Sequence, residues 1–256
     1  MVLVYQMGKV GSSSVYNSLR PCTGFDVFHV HRMNPDNIDR VGQEHAIAGV
    51  PTPAGDKLGP RLYKMVKAGR RPVKVITCVR EPIARNVSAF FQNFERFTGR
   101  DHRETPEADK RLTDRFLREY RHDVPLTWFD DEPKATLGVD VFAESFPHQQ
   151  GHARISQGRA DMLVLKCETD DAVKERAISE FLGLDDFALA RSNVAGDKEY
   201  ARLYRAFLDR VALPESYVKE MYASRYARHF YAESEIEQLR ARWLRGVRAE
   251  PRAASR

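Results

Sequence analysis

Short, continuous apolar runs alternate with amphipathic stretches along the chain, and that alternation predicts most of its elements. Val2-Leu3-Val4-Tyr5 reads as a buried strand, and a glycine- and serine-rich stretch, Met7 to Ser14, follows it. A short helix then runs to Arg20, where Pro21 stops it. Phe25 to His31 alternates well enough for a second strand. Residues 32–58, with Pro35, Pro51, Pro53 and Gly55, read mostly as irregular, before Leu62, Met65 and Val66 give a helical face that Gly69 ends. Val73 to Val79 is the strongest strand. Pro82 suits a first helical position, and Ile83, Val87, Phe90, Phe91 and Phe94 recur at helical spacing after it. Met162 to Cys167 reads as a fourth strand, with a helix over 171–182. From about Lys198 to Trp243 the pattern is helical, broken at Pro214. Apolar strands alternating with helices predict an α/β fold: a parallel sheet covered by helices on both faces, with a helical C-terminal cap. The expected organisation is a single domain over 1–245 and a basic, disordered tail over 246–256.

Composition narrows the class without changing it. The 256 residues are 42% hydrophobic and 30% charged, which excludes disordered, collagen-like and disulfide-scaffold proteins. The longest apolar run, around Val73 to Val79, contains Lys74 and Thr77 and falls far short of the roughly 20 residues that span a bilayer. No basic stretch precedes an apolar one at the N-terminus, so no signal peptide is expected. Cys22, Cys78 and Cys167 are odd in number and far apart, two of them in apolar runs, which suggests reduced thiols and a cytoplasmic setting. The net charge of +5 comes from the last 17 residues, Arg240 to Arg256, which hold six arginines and one glutamate. The remainder is neutral, and nucleic-acid binding is not expected.

Three constellations carry chemistry. The first is Gly8-Lys9-Val10-Gly11-Ser12-Ser13-Ser14, between a strand and a helix. Small residues let backbone N–H groups approach an anion at a helix N-terminus, and a lysine and hydroxyls add donors. A serine-capped turn is the plainer alternative. Lysine precedes the second glycine here, whereas a nucleotide-triphosphatase loop places it after. The second constellation is Arg80, at the end of the third strand, with Ser88 in the following helix; an arginine fork and a hydroxyl suit a phosphate monoester, although each is common singly. The third is His29-Val30-His31, whose period of two puts both imidazoles on one face. No further ligands at suitable spacing support a metal site.

Together these motifs resemble the sulfotransferases that use 3′-phosphoadenosine 5′-phosphosulfate (PAPS). Their 5′-phosphosulfate loop reads roughly P-K-[ST]-G-[ST]-[ST]; this chain has Gly8 in place of the proline and Val10 in place of a hydroxyl residue. The same family carries an arginine at a strand end and a serine eight residues later at its 3′-phosphate site, the spacing of Arg80 and Ser88. Leu163-Val164-Leu165-Lys166-Cys167-Glu168 resembles the L-V-L-R-Y-E strand of carbohydrate sulfotransferases. Trp128-Phe129-Asp130 and the run Tyr226 to Ile236 look like a bacterial family of capsular polysaccharide synthesis proteins. Packing explains Tyr226, Phe230 and Tyr231 on its own, whereas Trp128, between Pro125 and Pro133, is a candidate to line an acceptor pocket.

The resemblance implies sulfuryl transfer from PAPS to a hydroxyl of a carbohydrate or other small metabolite, releasing adenosine 3′,5′-bisphosphate (PAP) and needing no metal. It implies His31 as general base with His29 as helper; were His31 dispensable, Glu44 or His45 in the following segment would be the next candidates. It implies Lys9 on the leaving oxygen, Gly11, Ser12, Ser13 and Ser14 around the 5′-phosphate, and Arg80 with Ser88 on the 3′-phosphate. Acceptor specificity is expected in the irregular stretches 32–58 and 98–135. A P-loop kinase or nucleotide hydrolase, and a non-catalytic nucleotide-binding protein of the same fold, are the alternatives. The expected partner is a hydroxyl-bearing, saccharide-like acceptor, with oligomeric state left open.

Overall fold

The computed structural model describes residues 1–22, 24–47, 58–104, 110–190 and 200–245. The tail over 246–256 and parts of the two stretches expected to be irregular (48–57 and 105–109) therefore lie outside the described residues, as does the His45 side chain. The chain forms two compact units: Met1–Glu81 with Asp123–Asn193, and Pro82–His122 with Val194–Arg256.

The first unit is an α/β unit built on a five-stranded sheet of order β2-β1-β3-β5-β4. Strands β1 (Val2–Tyr5), β2 (Val27–Val30), β3 (Val73–Val79) and β5 (Ala160–Lys166) run parallel, and β4 (His152–Gln157) pairs antiparallel with β5. The sheet is thus mostly parallel rather than wholly so. The extra strand, with the sequence HARISQ, alternates half-buried and exposed positions and pairs on one side only, so it lacks the apolar run that marks its neighbours. Every residue of β1, and all but Lys74 and Asp161 in β3 and β5, is buried, so the central strands are covered on both faces.

Helix α1 (Ser12–Leu19) follows β1, and α2 (Pro35–Ile47) and α3 (Leu58–Ala68) lie between β2 and β3. Helix α2 corrects the expectation of an irregular segment. Pro35 starts it instead of breaking it, because a first-turn residue has no intrahelical N–H bond to lose. Asn34 supports that start by accepting from the Asp36 amide (3.2 Å) and, through its main-chain oxygen, from Ile38 (2.9 Å).

The stretch expected to be irregular before residue 135 is also largely helical. In the first unit, Val124–Phe129, one widened turn over Asp130–Lys134 and a short turn over Ala135–Leu137 follow one another without a gap. Pro133 explains the widening: it has no N–H to donate, and its ring would collide with the carbonyl four residues back. Helix over Asp171–Leu182 closes the unit where expected.

The second unit is helical. Pro82–Gln92 and Lys110–Glu119 contribute Phe90 and Phe116, whose rings pack edge to face at 5.5 Å, and Phe91 meets Phe207 at 5.1 Å. Four helices between Ala201 and Arg245 follow, one starting just after Pro214. Tyr226, Phe230 and Tyr231 are fully buried, as packing alone requires. Among the described residues no helix is long and apolar enough to cross a membrane.

Candidate functional site

Strand order reverses between β1 and β3: β2 lies on one side of β1 and β3 on the other. In open α/β sheets the crevice outside the carboxyl ends of the strands at such a point is where ligands bind. The Gly8–Ser14 loop leaves β1 at this point, Arg80 leaves β3, and the Arg80 guanidinium donates to the Lys9 carbonyl (3.2 Å), joining the two exits. Cys167, just past β5, completes the floor: its amide donates to the Val79 carbonyl (2.7 Å).

The loop has the backbone of an anion cradle. Gly8, Lys9 and Gly11 all have positive φ, at 84°, 65° and 80°. Lys9 is the sole non-glycine residue of this kind among those described, and an L-residue held there costs about 1–2 kcal/mol. Gly11 precedes α1 with no side chain capping the helix, and its carbonyl accepts from the Ser14 amide at 3.3 Å. A Cβ at this position would also stand 3.2 Å from the Cys167 Sγ, so that side chain would have to give by a few tenths of an ångström. Burial holds the Cys167 thiol above its usual range and pushes that of Cys78 up to about 12, so both serve as packing groups. All three cysteines are free thiols.

Not every loop hydroxyl is arranged alike. Ser12 is buried and reaches His29 Nε2 at 3.2 Å, whereas Ser14 donates to the Ala190 carbonyl at 2.9 Å. Ser13 is half-buried. Ser88 belongs to the second unit, where it is buried on the Pro82–Gln92 helix, while Arg80 belongs to the first.

The histidines come together as their spacing implies, with ring centroids 5.1 Å apart. His29 stacks on Tyr16 at 5.2 Å. Burial, and then the neighbouring His31, lower its pKa to about 4, so it is neutral near pH 7. His31 is exposed just past β2, and its Nδ1 lies 3.0 Å from the Gln6 main-chain oxygen. Glu44 is exposed on α2 and lies 3.7 Å from Arg40.

Two polar residues that the sequence patterns gave no reason to choose organise this site. Gln6 is 1% exposed. Its side-chain oxygen accepts from the Gly8 amide, and its nitrogen lies 2.7 Å from His31 Nδ1 and 3.0 Å from His29 Nε2. Glu132, in the widened turn, is fully buried. Its carboxylate accepts from the Tyr5 hydroxyl, the amides of Met33 (2.8 Å) and Asn34 (3.0 Å), and the Asn37 side chain. Burial holds the carboxyl above its usual range even though these donors pull the other way. Trp128 reinforces the same place: its indole N–H donates to the His31 carbonyl at 2.9 Å. At 4% exposure Trp128 is an internal strut, not the lining of an acceptor pocket.

Glu95, Asp101 and His102 in the second unit form one cluster of metal-ligand type, with donor atoms within 4.8 Å of one another. Asp101 is engaged there by Arg103, through its amide at 2.8 Å and its guanidinium.

No curated protein and no solved structure matches the chain. Just under half of it, residues 111–232, matches the protein family described as "Putative capsular polysaccharide synthesis protein". The match takes in Trp128, Glu132 and the stretch Leu163 to Glu168 and leaves out the Gly8–Ser14 loop, His29, His31, Arg80 and Ser88; over that stretch the chain is similar to a family named for capsular polysaccharide synthesis.

Proposed function

We propose that the protein is a sulfotransferase that moves the sulfuryl group of PAPS to a hydroxyl of a saccharide-like acceptor. The observation that carries this reading is the link through Gln6, which joins a loop amide, Gly8 N–H, to the imidazole of His31. A proton acceptor thereby stands one side chain away from an anion cradle at the switch point of the sheet. Transfer of a sulfuryl group resembles phosphoryl transfer in needing charge positioned at both ends of an in-line displacement. Lysine before the second glycine, and the resemblance of the loop to a 5′-phosphosulfate site, favour sulfate over a nucleotide triphosphate. The family matched by residues 111–232 supports a saccharide as the acceptor class.

In this reading the loop amides around Gly11 and the hydroxyls near the start of α1 hold the 5′-phosphate. Lys9 meets the negative charge growing on the oxygen that bridges sulfur and phosphorus. Arg80 recognises the 3′-phosphate. The acceptor oxygen forms a bond to sulfur while the sulfur–oxygen bond to the phosphate breaks, and the acceptor proton passes to His31 Nε2. That role needs the proton of neutral His31 on Nδ1, where the Gln6 main-chain oxygen is placed to accept it. His29, neutral and held by Ser12 and Gln6, orients its neighbour.

Calorimetry at one salt concentration with PAP, AMP and ATP tests the assignment. A site for a 3′-phosphate gains a charge-assisted partner, about 1.5–3 kcal/mol, so PAP should bind roughly tenfold to over a hundredfold better than AMP. Equal affinities for the three, or a magnesium-dependent preference for ATP, would overturn it.

A further inference from the structure

Gln6 lies between the loop and the histidines, and a carboxamide has one accepting end and one donating end. The accepting end is taken by the Gly8 amide, so the donating end faces the imidazoles. Its two N–H bonds then have two acceptors, His31 Nδ1 at 2.7 Å and His29 Nε2 at 3.0 Å. Both ring nitrogens must carry lone pairs. His29 therefore keeps its proton on Nδ1, and His31 keeps its proton on Nε2. In that state the outward nitrogen of His31 is a donor and not a base.

The base-competent tautomer of His31, protonated on Nδ1, can donate to the Gln6 main-chain oxygen at 3.0 Å, but its N–H would then oppose the N–H of the Gln6 side chain. Turning the carboxamide over removes the conflict. Its oxygen has two lone pairs and can accept from His31 Nδ1–H and His29 Nε2–H together. Ser12, 3.2 Å from His29 Nε2, can rotate its hydroxyl to suit either state. What opposes the turn is Gly8, whose amide would lose its acceptor and face an NH₂ group.

We propose that Gln6 is a positioning residue that couples occupancy of the Gly8–Ser14 loop to the tautomer of His31. An anion seated on the loop takes the Gly8 N–H, which releases the Gln6 oxygen. The carboxamide turns, and one proton on each ring moves to the other nitrogen through solvent, with no net change in charge. His31 Nε2 then presents its lone pair only when the donor is in place. The inference rests on the proposed role of the loop and of His31, but its starting state belongs to the free protein.

The test is long-range proton–nitrogen correlation NMR on the full chain labelled with ¹⁵N-histidine at a pH where His31 is neutral, with signals assigned from His29→Gln and His31→Gln variants. In the free protein most of His31 should carry its proton on Nε2, since the Gly8 amide fixes the carboxamide with its NH₂ group toward Nδ1. Gln6→Met removes the carboxamide and leaves the main-chain oxygen, so its His31 should carry the proton on Nδ1. Saturation with inorganic pyrophosphate, and separately with PAP, should shift the unsubstituted protein to the Nδ1–H form and leave Gln6→Met unchanged. A proton on His31 Nδ1 in the free protein, or a tautomer that ignores bound pyrophosphate, overturns the inference. Preference for PAP over AMP with an unresponsive tautomer would sink the coupling alone. Absence of binding by both anions would sink the loop assignment and with it the coupling, while the free-state tautomer would still decide the role of the Gln6 side chain.

Discussion

Removing the Glu132 carboxylate should be among the most damaging single changes to the first unit. Four donors end on it, and three of them belong to buried residues: Tyr5, Met33 and Asn37. In Glu132→Ala these groups lose a charged acceptor in a place with little water. An orphaned buried donor costs about 1–3 kcal/mol, so three would approach 3–9 kcal/mol if nothing relaxed. Two effects reduce that figure. The carboxylate no longer has to be buried, a cost visible in its raised pKa, and the 31–37 segment can move outward to water. The net expectation is a loss of about 3–5 kcal/mol, the range seen when one partner of a buried charged set is removed. Glu132→Gln is the informative comparison. Its oxygen can keep three donors, but its NH₂ then faces the Asn37 NH₂, and Asn37 resists turning because its own oxygen accepts from Arg40 at 2.6 Å. That single conflict should cost about 1–2 kcal/mol. There is a pH signature as well. Because the folded carboxyl titrates above the unfolded one, the folded state holds the proton longer, and stability falls as pH rises through the interval above about 4.5. Glu132→Gln should flatten that part of the profile. Urea unfolding of the three proteins, compared at unchanged m value, measures all of this. A loss below about 1 kcal/mol in Glu132→Ala, or equal losses in the two variants, would refute the account of Glu132 as a charged keystone.

In the proposed reaction, Lys9→Ala should lower turnover by about a hundredfold or more while weakening PAP binding much less, because a lysine placed on the leaving oxygen acts mainly in the transition state; single-turnover rates and a PAP titration on the same variant check it, and lost affinity with an intact rate would make Lys9 an anchor only. His29, neutral in the fold to about pH 4 and facing His31, Ser12, Gln6 and the Tyr16 ring, binds its proton more weakly folded than unfolded, so its contribution is lost as pH falls from about 6.5 to about 4. After allowance for partial solvent access that contribution is about 2–3 kcal/mol, and the difference in stability between the unsubstituted protein and His29→Gln should shrink by that amount across the interval; a constant difference would show that His29 titrates normally. Gly11→Ala should cost about 1–2 kcal/mol for its positive φ, and a thermal melt of Gly11→Ala/Cys167→Ala should recover only the part due to the 3.2 Å approach of Cys167. Full recovery would mean that the backbone conformation carries no penalty.

The scaffold was legible where one face or one run of residues decided the outcome. Strand Val73–Val79 and helix 171–182 appear where apolar runs and periodicity predict them. The misreadings have definite causes. Pro35 and Pro133 both lie in stretches whose pattern reads as irregular, yet the first begins a helix and the second widens one without ending it. Strand β4 was missed because an edge strand paired on one side needs no continuous apolar run. Its turn, Gly158-Arg159 before the apolar run Met162 to Leu165, was the available hint. In the site, the loop and the histidine spacing were visible because glycines and a period of two leave marks in a sequence. Gln6 and Glu132 leave none. An acid next to Asp130 and Asp131 reads as solvated charge, and only the widened turn puts this one inside.

The placement of His31 shows why such residues matter more than their number suggests. The strand before His31 is only four residues long, and the segment after it has little regular hydrogen bonding before α2 begins. Its position is instead imposed from residues about a hundred places later. Trp128 holds the His31 carbonyl, Glu132 holds the Met33 and Asn34 amides, and the Asp131 carbonyl accepts from the Asn34 side chain at 2.7 Å. Held at several points by a helical segment, the backbone beneath the imidazole has few ways to shift. The ring itself can then change tautomer or accept a proton without the loop moving. That division suits proton transfer, where a base must sit within hydrogen-bond reach of its target before chemistry begins. It also explains why damage to the 124–137 segment should appear at the histidine. A variant such as Trp128→Phe keeps the edge-to-face packing on Tyr5, with rings 5.1 Å apart, but drops the bond to His31. Its effect on the site should therefore exceed its effect on the stability of the sheet.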